Sequence, residues 1–71
     1  MFTAASFDPD TLDAMTRAFN EAWVDIQAMA GPRPLDAEAA RSVLATRILA
    51  AAAHGERDPR RLKLIAMGLI A

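Results

Sequence analysis

The spacing of apolar residues in the first half of the chain predicts a long amphipathic helix. Between residues 9 and 30 they recur every three or four positions, which places them on one face of a helix. We expect this helix to begin at Pro9, because Asp8 is a favourable N-cap and proline is tolerated in a first turn. Gly31 and Pro32 are expected to end it. The apolar positions are Leu12, Met15, Phe19, Ala22, Trp23, Ile26, Met29 and Ala30.

Two shorter helices are predicted in the second half, over about residues 37–54 and 59–70. Asp36 and Asp58 are placed to cap them, since aspartate side chains accept hydrogen bonds from the free N–H groups of a first turn. Gly55 is expected to adopt the left-handed conformation that ends the second helix. The chain would therefore form a helical hairpin after the long first helix.

The second helix carries apolar residues all round. Leu44, Ile48 and Ala52 form its main stripe, while Val43 and Ala50 lie nearly opposite. A helix of this composition is usually contacted on more than one side. We therefore expect two of its faces to be covered.

These elements predict an all-α fold, a single domain over residues 1–71 in which helix 1 packs on the hairpin of helices 2 and 3. The expected core is drawn from the large apolar side chains of all three helices. Its members are Leu12, Phe19, Trp23, Ile26, Leu44, Ile48, Leu62, Ile65 and Leu69.

A homodimer is expected because a domain of 71 residues has a small core and this one has no cysteine for a disulfide. Helix 3 carries a second apolar face at Leu64, Met67 and Ala71, which we interpret as the dimer contact. The alternative is a monomer in which the segment with Phe2 and Phe7 folds back over these surfaces.

Charge is distributed unevenly along the chain. Residues 1–36 hold six acidic and two basic residues, a balance of −4, whereas residues 37–71 hold three acidic and six basic residues, a balance of +3. The net charge of −1 argues against a general affinity for nucleic acid. No apolar segment reaches the length of a membrane span, and the first residues lack the plan of a secretory signal, so a cytoplasmic protein without membrane contact is expected.

Four basic residues, Arg57, Arg60, Arg61 and Lys63, cluster at the predicted start of helix 3. A helix N-terminus with basic neighbours can bind a phosphate, a carboxylate or a protein partner. The alternative is that these residues pair within the protein. A helix-turn-helix reading fits poorly, because Glu56 and Arg61 fall where that motif places apolar residues.

Other polar residues have structural interpretations. His54, Glu56 and Asp58 are too few to close a zinc site, and His54 is expected to contact the carbonyl end of helix 2. Trp23 is expected in the core. Arg41 lies within the apolar arc of helix 2, where an ion pair with Asp25 or Glu21 across the helices is expected.

No catalytic constellation is recognisable, since the chain has no cysteine or tyrosine, one histidine and no glycine-rich loop. The sequence favours a non-catalytic protein-interaction or regulatory adaptor domain, not an enzyme, with no cofactor and no metal. One alternative is a nucleic-acid-binding module that uses the basic start of helix 3. Another is an accessory subunit of an enzyme.

The pattern Ala40-Arg41, Leu44-Ala45, Ile48-Leu49, Ala52 and Gly55-Glu56-Arg57-Asp58, ending in Leu62 and Ala66, resembles one common in small uncharacterised helical proteins of alphaproteobacteria. The resemblance covers residues 40–71. It implies a short, all-helical intracellular protein and assigns no functional residue.

Overall fold

The computed structural model describes residues 7–31 and 36–70, which form three α-helices and no strand. Helix α1 spans Pro9–Ala30, α2 spans Ala37–Ala53 and α3 spans Pro59–Ala66. Helix α1 packs against both α2 and α3, and these two also pack against each other. The predicted all-helical architecture is therefore confirmed. None of these helices combines the length and the hydropathy that a membrane crossing requires.

Each helix begins at an aspartate whose side chain accepts a backbone N–H bond from its first turn. This satisfies one of the donors that a helix start leaves without an intrahelical partner. Thr11 N donates to Asp8 Oδ1 at 2.7 Å, Ala39 N donates to Asp36 Oδ1 at 3.1 Å, and Arg60 N donates to Asp58 Oδ1 at 3.0 Å.

Gly55 ends α2 in the conformation expected from the sequence, with a φ of 104°. Its N–H donates to Ala52 O at 3.0 Å, and the N–H of Glu56 donates to Ala51 O at 3.0 Å. This pair of bonds satisfies carbonyls of the last turn and is the usual arrangement around a glycine after a helix. Gly31, which follows α1, also has a positive φ of 60°, whereas Pro32 lies outside the described residues.

Helix α3 ends at Ala66, so the prediction that it continues to about residue 70 is wrong. Gly68 has a φ of 77° and donates its N–H to Ile65 O, while Leu69 donates to Leu64 O at 2.9 Å. These are the same two bonds that close α2. A glycine cap within an apolar run therefore terminates the helix four residues early.

The core contains more alanine than the sequence pattern suggested. Ala14, Ala18 and Ala22 occupy successive turns of α1 and are buried, together with Ala52 of α2 and Ala66 of α3. Small side chains allow helix axes to approach closely, so much of the interior is backbone and methyl groups. Between these alanines lie the large buried side chains Met15, Phe19, Leu44, Ile48 and Leu62.

Seven of the nine predicted core residues belong to this interior. Besides the buried Phe19, Leu44, Ile48 and Leu62, the partly buried Leu12, Trp23 and Ile26 pack against it. Leu69 does not, because it follows the end of α3 and is 64% exposed. Ile65 is half-buried and lines a groove between α2 and α3.

Candidate interaction surface

The basic cluster of Arg57, Arg60, Arg61 and Lys63 lies at the α2–α3 turn and along α3, and three of its members bond within the protein. Arg57 is exposed, yet its Nη1 donates to Ala52 O at 2.7 Å and to Glu56 O at 2.9 Å. A cation at the carbonyl end of α2 is also favoured by the helix dipole. Arg57 thus stabilises the α2–α3 turn by hydrogen bonds to the end of α2 and to the turn itself.

Arg57 also lies beside the N-cap of α1. The pKa of Asp8 is lowered chiefly by hydrogen bonds from the backbone N–H and the hydroxyl of Thr11, with a smaller contribution from the charge of Arg57. A small cavity of about 280 Å³ is lined by Asp8, Asp10, Thr11 and Arg57. Thr11 is 3% exposed and belongs to this capping arrangement, a role that the helical pattern did not reveal.

Arg61 and Lys63 bind carboxylates. Arg61 Nε lies 2.7 Å from Glu56 Oε1, and this hydrogen bond lowers the pKa of Glu56 and raises that of Arg61. Lys63 Nζ lies 2.7 Å from Asp25 Oδ2 and joins α3 to α1. Arg60 alone in the cluster has a side chain without a hydrogen bond or ion pair to any described residue.

The three side chains predicted as dimer contacts do not form one free surface. Met67 packs against the core of its own subunit, so this residue is already covered. Leu64 is half-buried. Ala71 lies outside the described residues. The fold-back alternative is likewise only partly visible, since Phe7 packs against the core and Phe2 is not described.

Arg41 of α2 turns toward α1. Its guanidinium carbon lies 5.3 Å from the ring centroid of Trp23, a cation–π distance. The predicted ion pair with Asp25 or Glu21 is wrong, because Asp25 pairs with Lys63 and Arg41 lies over the aromatic ring instead. The planar guanidinium suits this stacking, which leaves its edge accessible to water.

Arg47 of α2 turns toward α3. Its Nη1 donates to Ala66 O at 3.0 Å, at the carbonyl end of that helix. Arg41 and Arg47 are the two charged residues of α2 after its first turn. Both therefore extend sideways to a neighbouring helix, and neither lies at the centre of the surface that α2 presents to solvent.

That solvent-facing surface carries no charge. By contrast, the exposed side of α1 carries Asp10, Asp13, Arg17 and Glu21. Within the subunit α2 contacts both α1 and α3, as the sequence predicted for a helix with apolar residues all round, yet its solvent-facing side stays exposed. Val43 is 46% exposed and Leu49 is 40% exposed. The surface, called the outer face of α2 below, consists of the exposed residues Ala39, Ser42, Val43, Thr46, Leu49, Ala50 and Ala53.

A groove of about 590 Å³ runs between the end of α2 and α3, next to the outer face. Its apolar lining comes from Ala50, Ala51 and Ile65, and Arg47, His54, Gly55 and Glu56 complete it. A second cleft of about 300 Å³ shares Arg47 and includes Val43 and Met67. Arg47 therefore separates two apolar depressions beside α2.

His54 has the structural contact expected from the sequence. Its Nδ1 lies 2.8 Å from Ala50 O, one turn earlier in α2. Within the described ranges, no group of three histidine, aspartate or glutamate side chains is arranged to hold a metal ion.

The outer face of α2 was not assigned a role from the sequence, although a signal was present. Its uncharged positions recur at intervals of three and four residues from Ala39 to Ala53, as they do along a helix–helix seam. No protein-family model matches the chain, and comparisons with curated proteins and solved structures give no significant match.

Proposed function

We propose that this chain is a non-catalytic protein-interaction domain that works as a homodimer, in an adaptor or regulatory role. The observation that carries the proposal is the outer face of α2, which exposes Val43 and Leu49 among small uncharged residues. Solvent-facing helix surfaces of monomers are normally interrupted by charges. An uncharged surface that exposes branched aliphatic side chains on a small domain is typical of a site of association.

The small core gives association a thermodynamic role. Much of the interior consists of alanine, which contributes less hydrophobic stabilisation than larger side chains because it buries less apolar area. Without disulfides, contact between subunits is the remaining source of additional stability. Dimerisation would thus support the fold as well as the function.

The contacts of the basic cluster support ranking protein interaction above nucleic-acid binding. Phosphates would have to compete with Glu56 for Arg61 and with Asp25 for Lys63. Arg57 is held by two backbone carbonyls, and Arg60 is the member whose side chain has no partner in the described part of the chain. One unengaged arginine supplies little of the multiple-contact electrostatics on which nucleic-acid affinity depends.

Light scattering on the full chain tests the homodimer. The mass is expected to rise toward twice the 7.6 kDa of one chain as the concentration increases through the micromolar range. A single 7.6 kDa species at high micromolar concentration would overturn the homodimer. A parallel titration with duplex DNA and with RNA tests the ranking of functions. Tight binding at physiological salt that survives replacement of Arg60 and Arg61 by glutamine would reverse that ranking.

A further inference from the structure

We infer that the dimer interface is the outer face of α2, where α2 of a second copy packs antiparallel to it around a twofold axis at Thr46. The inference rests on the proposed homodimer and specifies its occupant, register and direction. It replaces the α3 surface that the sequence suggested, where Met67 is already packed inside the subunit.

The spacing along the outer face is that of a helix–helix seam. Ala39, Ser42, Thr46, Leu49 and Ala53 follow one another at intervals of three, four, three and four residues. An average interval of 3.5 residues keeps one stripe facing a partner helix. The stripe extends over about 21 Å at 1.5 Å per residue, and all five side chains are exposed in the subunit.

The sizes of the side chains are complementary under a twofold axis at Thr46. On one flank of the seam, Val43 would lie beside Ala50 of the second copy, because the two residues differ by one residue in height along the helix axes. On the other flank, Leu49 would lie beside Ser42 of the second copy. Each large side chain thus meets a small one, which allows the close packing that interiors require.

The charges at the ends of α2 favour an antiparallel second copy. Asp36 and Glu38 give its start two negative charges, whereas residues 56–61 after its end hold three arginines and two acidic residues, a balance of +1. In the register centred on Thr46, the acidic start of α2 in one copy lies beside the basic turn that follows α2 in the second copy. A parallel pair would instead place like charges side by side and align the two helix dipoles unfavourably.

Disulfide trapping tests the register directly, because the chain has no cysteine of its own. A Thr46→Cys variant places two thiols at the twofold axis, where the Cβ atoms of a close-packed seam reach the roughly 4 Å that a disulfide needs. Mild oxidation is expected to convert most of this variant to a covalent dimer. Thr16→Cys is the matched control, since Thr16 is also an exposed threonine in the middle of a helix, and it is expected to remain mostly uncrosslinked.

A second variant tests the same face without cysteine chemistry. Leu49→Lys places a charge in the seam and is expected to weaken dimerisation more than about tenfold, because a charge that loses water without gaining a partner is unfavourable. Its circular dichroism should stay helical, since Leu49 is 40% exposed in the subunit. Val24→Lys is the control on α1, where Val24 is 62% exposed, and should leave the dimer intact.

The outcomes separate this inference from the proposed function. A wild-type chain that is monomeric at every concentration would overturn the homodimer and this interface together. A dimeric wild type that is unaffected by Leu49→Lys, with Thr46→Cys no more crosslinked than Thr16→Cys, would overturn the interface alone. Dissociation by Leu64→Glu but not by Leu49→Lys would likewise overturn it and locate the contact on α3.

Discussion

Arg47 Nη1 lies 3.0 Å from the carbonyl oxygen of Ala66, so a side chain from the middle of α2 binds the last turn of α3. This bond satisfies a carbonyl that the helix end leaves without an intrahelical partner. It also places a positive charge at the negative end of the α3 dipole. The short third helix is thus held by a residue nineteen positions earlier in the chain.

Gly68→Ala is expected to reduce stability more than Gly55→Ala. Both glycines have positive φ, at 77° and 104°, so each substitution should cost about 1 kcal/mol through the new Cβ. At Gly68 that Cβ would also lie 3.2 Å from Arg47 Nη1, whereas at Gly55 it would meet no heavy atom of the described residues within 4 Å apart from its chain neighbours. Urea denaturation measures both losses. Equal losses would mean that Arg47 moves aside without cost.

Arg57→Ala should destabilise the fold by about 1 kcal/mol, because it removes side-chain hydrogen bonds to two backbone carbonyls at the α2–α3 turn. Arg60→Ala is the matched control. It removes a basic residue of the same cluster whose side chain makes no bond to the described residues, and its effect should stay near zero. Thermal melts at equal protein concentration compare the two. A larger loss of thermal stability for Arg60→Ala than for Arg57→Ala would contradict the assigned role of Arg57 in stabilising the turn.

Lowering the pH should remove the contribution that the ionised Glu56 carboxylate makes to the stability of the fold. Its folded-state pKa is lowered by the hydrogen bond from Arg61, so the ionised carboxylate favours the folded state. This contribution is complete above the ordinary pKa of an unfolded glutamate and is lost as the pH falls through the lower folded value. Glu56→Gln should therefore reduce stability at neutral pH and make its decline below about pH 4 shallower.

Urea midpoints measured from neutral to acidic pH test this dependence. Glu21→Gln is the control, because Glu21 is an exposed glutamate of α1 without a recorded hydrogen bond or ion pair in the described ranges. Its profile should follow that of the wild type. A Glu56→Gln profile parallel to the wild type at every pH would contradict the expected role of Glu56.

The ion pair between Lys63 and Asp25 should couple α3 to α1 by about 0.5–1 kcal/mol, the upper range for pairs near a surface. The two side chains are 25% and 44% exposed, which reduces screening by water relative to a fully exposed pair. A double-mutant cycle with Lys63→Ala and Asp25→Ala isolates this coupling from other effects. If the losses in the free energy of unfolding are additive, the two side chains do not stabilise the fold through their interaction.

Local chemistry made the beginnings of the helices predictable. An aspartate directly before a helical pattern predicts an N-cap, because its side chain can accept from a backbone N–H two or three residues later. This prediction is confirmed for Asp8, Asp36 and Asp58. The end of α3 was missed because Gly68 stands within an apolar run that continues the helical pattern on both sides. The spacing of side chains carries no direct information on the left-handed backbone that a glycine allows.

The partners of the basic residues depend on packing and were harder to predict. Arg41 and Lys63 both lie near α1, and the sequence could not decide which of them reaches Asp25. The close approach of helices through Ala18 and Ala22 sets their relative positions, and the longer residues adapt to it. Hydrophobicity alone favours large side chains as core residues, yet Leu69 is exposed and Ala18 is buried, because the position of each residue relative to the neighbouring helices decides its burial.

The stacking of Arg41 on Trp23 also provides an optical signal. Trp23 is the one tryptophan of the chain, and the sequence contains no tyrosine. Its ring packs against the core on α1 and lies beneath a guanidinium from α2. Separation of these two helices would expose the indole to water and shift its fluorescence to longer wavelength. The protein therefore contains an intrinsic fluorophore at the junction of α1 and α2, which reports their docking without an added label.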